Sequence, residues 1–292
     1  MANIPKTIVA TGASSGLGFE VVKKLLGQTQ PYNFVLGVRD TQRTRAAFDE
    51  LKYDSTRHSI TLLPVELSDL KNVKTFAQQT LDSLGETNID YLFLNAAMHK
   101  DANGPGPHGS KWSESYLVNH LSQHYLMHLL REQLEASRSR IIIVSSGAVR
   151  NVEDPSTLEG VMKADSKAEW PLYSATKFAQ LLGAHWWRRQ LRDTCQVLAV
   201  SPGLIPQTGL ARNMDLKIDM SLPDAKTVSE GAESLLRAFT RDDFPEDPEQ
   251  IFLTSWGEWW PKDVYGLTLD RNLQDKWSPS KEEIEKEEGV SA

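Results

Sequence analysis

The chain has 292 residues, 40% hydrophobic and 24% charged, with 32 Lys and Arg against 39 Asp and Glu for a net charge of −7. That is the composition of a globular protein with a core, and the acidic balance disfavours nucleic acid or an anionic membrane as main partner, since both need concentrated basic charge. The single cysteine, Cys195, excludes an intrachain disulfide and reads as core filler in a reducing compartment.

The N-terminal MANIPKTIVAT run is too short for a signal peptide, and no stretch approaches bilayer-spanning length. The expectation is a cytoplasmic protein without a membrane span. Short apolar runs recur at Thr7–Thr11, Asn33–Val38, Ile60–Val65, Ile89–Leu94, Arg140–Ser145 and Gln196–Val200, separated by stretches of helical periodicity. Runs apolar throughout, such as Tyr91–Leu94 and Ile141–Val144, suit strands covered on both faces. The fold class is therefore α/β, a doubly wound, Rossmann-type parallel sheet in a single domain, 1–292. Gln250–Trp256 is expected to complete the sheet edge. Segments 98–111, 149–171 and 204–244 fall outside the repeat, after strands four, five and six, and are expected to form the pocket rim and lid. The acidic tail, about 280–292, reads as a solvated, fraying helix.

After the first strand comes Thr11-Gly12-Ala13-Ser14-Ser15-Gly16-Leu17-Gly18, opening a helix with apolar Val21, Val22, Leu25 and Leu26. Gly12 allows a tight turn, Gly16 a close approach of backbone to a pyrophosphate, and Gly18 close packing of helix on strand. The free amides of the helix start favour phosphate. At the end of the second strand, Val38 stands where an NAD site needs an acid for the ribose 2′-hydroxyl, and Arg39 follows. A guanidinium meets a 2′-phosphate through two hydrogen bonds, so the reading is NADP(H). Asp40 either points away from Arg39 or pairs with it.

With Asn95-Ala96-Ala97 after strand four, Ser145-Ser146 after strand five and Tyr173-Ser174-Ala175-Thr176-Lys177, the chain resembles the short-chain dehydrogenase/reductase family over roughly its first two hundred residues. Leu94-Asn95-Ala96-Ala97, Val118-Asn119-His120-Leu121 and Pro202–Leu210 resemble the subgroup that includes retinol dehydrogenases and light-dependent protochlorophyllide reductases. The resemblance implies cofactor contacts from Gly12, Ser14, Ser15, Gly16, Leu17 and Gly18, and from Arg39. It places Glu66 and Leu67 beside the adenine, and Asn95, Ala96 and Ala97 along the adenosine ribose. Pro202, Gly203 and Ile205 line the nicotinamide. Gln207 sits where a threonine commonly contacts the cofactor, with Thr208 one residue later.

Tyr173 and Lys177, four apart at a helix start, emerge on one face, and a neighbouring ammonium lowers a phenol's pKa. By the family pattern Tyr173 gives a proton to a carbonyl oxygen while hydride reaches the carbon. Ser146 holds the same oxygen. The resemblance further implies that Asn119, inside a helix expected over Ser113–Gln133, holds a water between Lys177 and solvent. His120, His124 and His128 on that helix read as a partly exposed stripe, with no metal assigned. Trp186, Trp187, Trp256, Trp259 and Trp260 read as core and interface packing.

The function expected is NADPH-dependent reduction of a ketone or aldehyde in a bulky, apolar small molecule, or oxidation of the matching alcohol. A carbon-carbon double-bond reductase or hydride-assisted isomerase stays open, as does a non-catalytic NADP(H)-sensing regulator. A homo-oligomer through the helices at Ser113–Gln133 and Tyr173–Arg192 also stays open.

Overall fold

The computed structural model describes residues 4–168, 170–206, 208–211 and 219–290. Its strands are β1 (Lys6–Thr11), β2 (Tyr32–Val38), β3 (Ser59–Pro64), β4 (Tyr91–Leu94), β5 (Arg140–Val144), β6 (Gln196–Val200) and β7 (Phe252–Leu253). They form one parallel sheet in the order β3-β2-β1-β4-β5-β6-β7. The helices are α1 (Gly16–Leu26), α2 (Thr41–Asp49), α3 (Leu70–Leu84), α4 (Glu114–Tyr116), α5 (Ser122–Ser137), α6 (Leu158–Met162), α7 (Trp170–Gln190), α8 (Val228–Thr240), α9 (Arg271–Lys276) and α10 (Lys281–Glu287).

The continuous apolar runs are explained by the two cores. In β5, Ile141 and Ile143 join one core with Phe76 of α3, Leu126 of α5 and Phe178 of α7. Ile142 and Val144 join the other, with Val21 of α1, Phe48 of α2 and Leu235 of α8. A strand that alternates between two buried faces must be apolar at every position.

Several expectations are corrected. Ser113 caps a helix as expected, accepting from Tyr116 N, but α4 passes into one π-helical turn at Leu117–Leu121 before α5 begins. Such a wide turn barely disturbs the apolar spacing, so periodicity does not reveal it. The edge strand shrinks to Phe252–Leu253, because the chain reverses at Gly257 (φ +93°) and Trp259 bridges back to Leu253. Within 204–244, α8 is a sheet-covering helix, not a lid: Thr227 and Glu230 form a capping box, and Ala232, Leu235 and Phe239 are buried. Residues 212–218 of that segment, and Gln207, lie outside the described residues.

The rim segments 98–111 and 149–171 are laced together by backbone bonds from Ala164 N to Lys111 O, Asp165 N to Gly104 O and Lys167 N to Ala102 O, and Ser113 N just beyond bonds Met162 O. The tail up to Val290 is docked rather than fraying, with its charged face solvated as expected and its apolar side buried. A capping box of Ser280 and Glu283 starts α10, Ile284 and Val290 are buried, and Glu285 accepts from Tyr125 Oη at 2.7 Å. Burying one such aliphatic side chain contributes about 2 kcal/mol.

His120 and His124 are buried rather than partly exposed, and they hold this C-terminal segment. His120 Nε2 lies 2.7 Å from Trp277 O, and His124 Nε2 2.9 Å from Pro279 O. The Trp187 indole donates to His124 Nδ1 at 2.8 Å, so Nε2 carries the proton that bonds the Pro279 carbonyl. Trp187 and Trp260 are core, whereas Trp256 is exposed. Cys195 is buried. No helix among the described residues is long and apolar enough to cross a membrane.

Candidate active site

A cavity of about 440 Å³ opens at the carboxyl ends of β1, β4, β5 and β6. It lies where the chain leaves β1 for β2 on one side while β4 pairs on the other, the place where open parallel sheets bind ligands.

Gly12 is at φ +68°, and a methyl there would stand 2.6 Å from Ala96 Cα. At Gly18 a Cβ would come within 2.3 Å of the Gly12 carbonyl oxygen, so any larger residue forces α1 off the strand. Asn95 Nδ2 donates to Gly12 O at 2.8 Å and Ala96 N to Thr11 Oγ1 at 3.3 Å, tying β4 to the loop. Ser14, Ser15, Gly16 and Leu17 line the cavity above it. Ser15 caps α1 without a side-chain capping bond, which leaves the first-turn amides for an anion. Gly18 itself lies beneath, as packing demands.

At the far end, Arg39 is exposed on the cavity wall beside buried Val38, and makes no ion pair or hydrogen bond among the described residues. Asp40 is spent on capping α2, accepting from Arg43 N at 2.9 Å, and so is not its partner. Glu66 and Leu67 line the same end, where Glu66 accepts from Ser68 N and Ser68 Oγ. Ala96 and Ala97 line the middle together with Asn95.

Tyr173 and Lys177 project from α7 into the other end. Ser146 Oγ accepts from Ala148 N at 3.1 Å and is a hydrogen-bonding neighbour that favours the ionised form of the Tyr173 phenol, but Ser146 itself does not line the cavity. Burial nevertheless pushes Tyr173 up to about 12, against that hydrogen bond. Burial also pushes Lys177 down to about 7. The expected lowering of the phenol by the ammonium is therefore absent in this arrangement. Lys177 Nζ is turned onto Val144 O at 2.9 Å and Gln180 Oε1 at 3.1 Å, and desolvation of each group dominates.

Asn119 sits in the π turn with its side chain fully used. Oδ1 accepts from Met98 N at 2.7 Å, and Nδ2 donates to Met98 O at 2.9 Å and to Thr176 Oγ1 at 3.0 Å. Pro202 and Thr208 line the cavity, but Gly203 and Ile205 do not. Gly203 (φ +96°) turns against Asp224, and Ile205 packs on Gly231 of α8. None of the described residues in 149–171 reaches the cavity either, because that segment is folded onto 98–111.

Several lining residues lie in the motifs or the expected rim without having been assigned to the site: Met98 and His99 in segment 98–111, Val118 beside Asn119, and Gly209 and Leu210 at the end of Pro202–Leu210; only Glu114 lies outside all of these. Ser145, passed over for Ser146, faces the cavity with its buried Oγ unpartnered among the described residues. Only its adjacency to Ser146 could have pointed to it.

A family model described as short chain dehydrogenase matches residues 6–219. The chain belongs to the short-chain dehydrogenase/reductase family. Within this oxidoreductase family it is 60% identical over 288 residues to a short-chain dehydrogenase/reductase of Pestalotiopsis microspora, covering 97% of this chain and 99% of the relative. It is 29% identical to human retinol dehydrogenase 13 over 217 residues, covering 73% of this chain and 62% of that protein. In fold it matches NADPH-bound carbonyl reductase from chicken fatty liver at a TM-score of 0.66 and 20% identity, over 88% of this chain and 94% of the other. The Rossmann-type nucleotide-binding fold and the retinol-dehydrogenase-like subgroup are thus both represented among its relatives.

Proposed function

We infer that this short-chain dehydrogenase/reductase uses NADPH to reduce the carbonyl of a bulky, largely apolar small molecule, or oxidises the matching alcohol. One observation carries the reading: a single cavity runs from uncapped loop amides and an Arg39 unpaired among the described residues to Tyr173 and Lys177. The loop Gly12–Gly18 fits a pyrophosphate because Gly12 and Gly18 leave no room for a side chain, which lets the loop pack tightly on the sheet, and Gly16, at φ +58°, keeps the turn open to a ligand. Arg39, with no acid paired to it among the described residues, fits a 2′-phosphate. NADP- and NADPH-bound structures among the fold neighbours agree with that choice.

The bound dinucleotide supplies hydride to the carbonyl carbon. Tyr173, protonated at neutral pH, transfers its hydroxyl proton to the carbonyl oxygen, so the O–H bond of the phenol breaks as the product alcohol forms. Ser146 holds that oxygen and offsets the charge developing on it. Lys177, whose pKa burial brings down to about 7, is partly protonated at neutral pH and so can return a proton towards the phenolate. Asn119 positions the rim through Met98. Pro202 and Thr208 would line the nicotinamide end of a bound dinucleotide, and Met98, Val118 and Leu210 supply apolar surface for the substrate.

Titration with NADPH and NADH by cofactor fluorescence, followed by a carbonyl panel, tests the reading. Tyr173→Phe is expected to bind NADPH as the wild type does while turnover falls by about 10²-fold or more. Unchanged turnover would remove Tyr173 from its role, and failure to bind either dinucleotide would sink the function.

A further inference from the structure

The family pattern gives Asn119 the task of linking Lys177 to solvent, yet its side chain is committed to Met98 N, Met98 O and Thr176 Oγ1. The side chain that meets Lys177 is instead Gln180, one turn further along α7. Its Oε1 accepts from Lys177 Nζ at 3.1 Å, while Val144 O accepts at 2.9 Å. Residues three apart on a helix share a face. Both side chains are buried, Lys177 at 1% and Gln180 at 4% exposed.

The surroundings ask for a hydrocarbon at position 180. Gln180 borders a small cavity of about 20 Å³ together with Leu94, Met127, Ile143 and Trp187, and its own Nε2 has no hydrogen-bond partner among the described residues. Burying such a half-satisfied amide costs free energy that an apolar side chain of the same length would not. What the amide gives in return is an acceptor for Lys177. An ammonium bonds that oxygen more strongly than a neutral amine does, so the contact weighs most on a lysine that burial brings down to about 7, with both forms present at neutral pH.

The titratable groups around this pair are Tyr173 on α7, with its ring centre 6.0 Å from Lys177 Nζ, and His120 and His124 of the π turn and α5, which border the same small cavity as Gln180. Burial keeps all three uncharged at neutral pH. Among the described residues the charge on Lys177 therefore rests on two neutral oxygens, of which only that of Gln180 belongs to a side chain.

We propose that Gln180 is a positioning residue for the reaction: it anchors the protonated Lys177 beside Tyr173 and so keeps in supply the proton that each turnover takes from the phenol. This rests on the carbonyl-reduction reading above. The proton that Tyr173 gives to the carbonyl oxygen is replaced from the Lys177 ammonium, which becomes the neutral amine and is recharged from water.

Two variants test it. Gln180→Met keeps the length and suits the apolar surroundings but offers no oxygen, and Gln180→Glu keeps the oxygen and adds charge; thermal melts check that each folds. Carbon-13 NMR of protein labelled at lysine Cε follows Lys177 as the resonance that titrates near neutrality and is missing from Lys177→Arg. Its midpoint should fall by about one pH unit in Gln180→Met and rise in Gln180→Glu. The alkaline limb of kcat/KM for NADPH-dependent reduction of benzil, a bulky apolar diketone, should move the same way in each. A midpoint unmoved in both variants, or one that moves while the benzil limb stays in place, overturns the proposal. A wild type that leaves benzil unreduced would count against carbonyl reduction instead, while the lysine titration still judged the hold of Gln180 on Lys177.

Discussion

His120→Gln removes one buried titrating group while offering an amide N–H where the imidazole now meets the Trp277 carbonyl. Burial lowers the His120 pKa to about 4, against about 6.5 in an unfolded chain. The folded state therefore binds its proton less readily than the unfolded one. The stability linked to this group is fully present above about pH 6.5 and is lost as pH falls towards 4. At about 1.36 kcal/mol per unit the whole effect is on the order of 3 kcal/mol, of which about 2 falls between pH 7 and pH 4.5. His124, held well below its usual value by burial, and His185, pushed down to about 3, act in the same direction. The variant should therefore reduce acid sensitivity without abolishing it. Urea unfolding at about pH 7 and about pH 4.5 reads the difference, and the fall between the two should be about 2 kcal/mol smaller in His120→Gln than in the wild type. An equal fall in both proteins would refute the assignment of His120 as a neutral, buried anchor of the C-terminal segment.

Arg39→Ala should weaken NADPH by roughly 10- to 100-fold, the loss of a charge-assisted contact, and NADH by less than about threefold; equal losses in parallel fluorescence titrations would detach Arg39 from the 2′-phosphate. Gly18→Ala drives a methyl into the Gly12 carbonyl. It should lower stability by about 1–3 kcal/mol and weaken both dinucleotides together, so a variant that melts and binds normally would contradict the packing. Ile284→Ala should cost about 2–5 kcal/mol in a thermal or urea melt, because the side chain is 2% exposed in the docked tail. A loss under about 0.5 kcal/mol would mean that the tail is held by its polar contacts alone.

The β-α alternation, the glycine loop, Asn95 and the Tyr173–Lys177 pair were legible in the chain because each depends on local periodicity or fixed spacing. A strand covered on both faces must be apolar throughout, and a loop pressed against Ala96 must be glycine, whatever the rest of the protein does. The strand order, the π turn under Asn119 and the burial of His120 and His124 were set by tertiary contacts. So were the departure of Gly203 and Ile205 from the cavity wall, and the folding of 149–168 onto the opposite rim segment. The titration behaviour of Tyr173 and Lys177 belongs to the same group, since spacing brings an ammonium near a phenol but only burial decides which way each pKa moves. His99 marks the boundary. Its place beside the Asn95 motif is written in the sequence, whereas its position against Tyr173 exists only because Asn119 and Ser115, distant in the chain, grip the residues on either side.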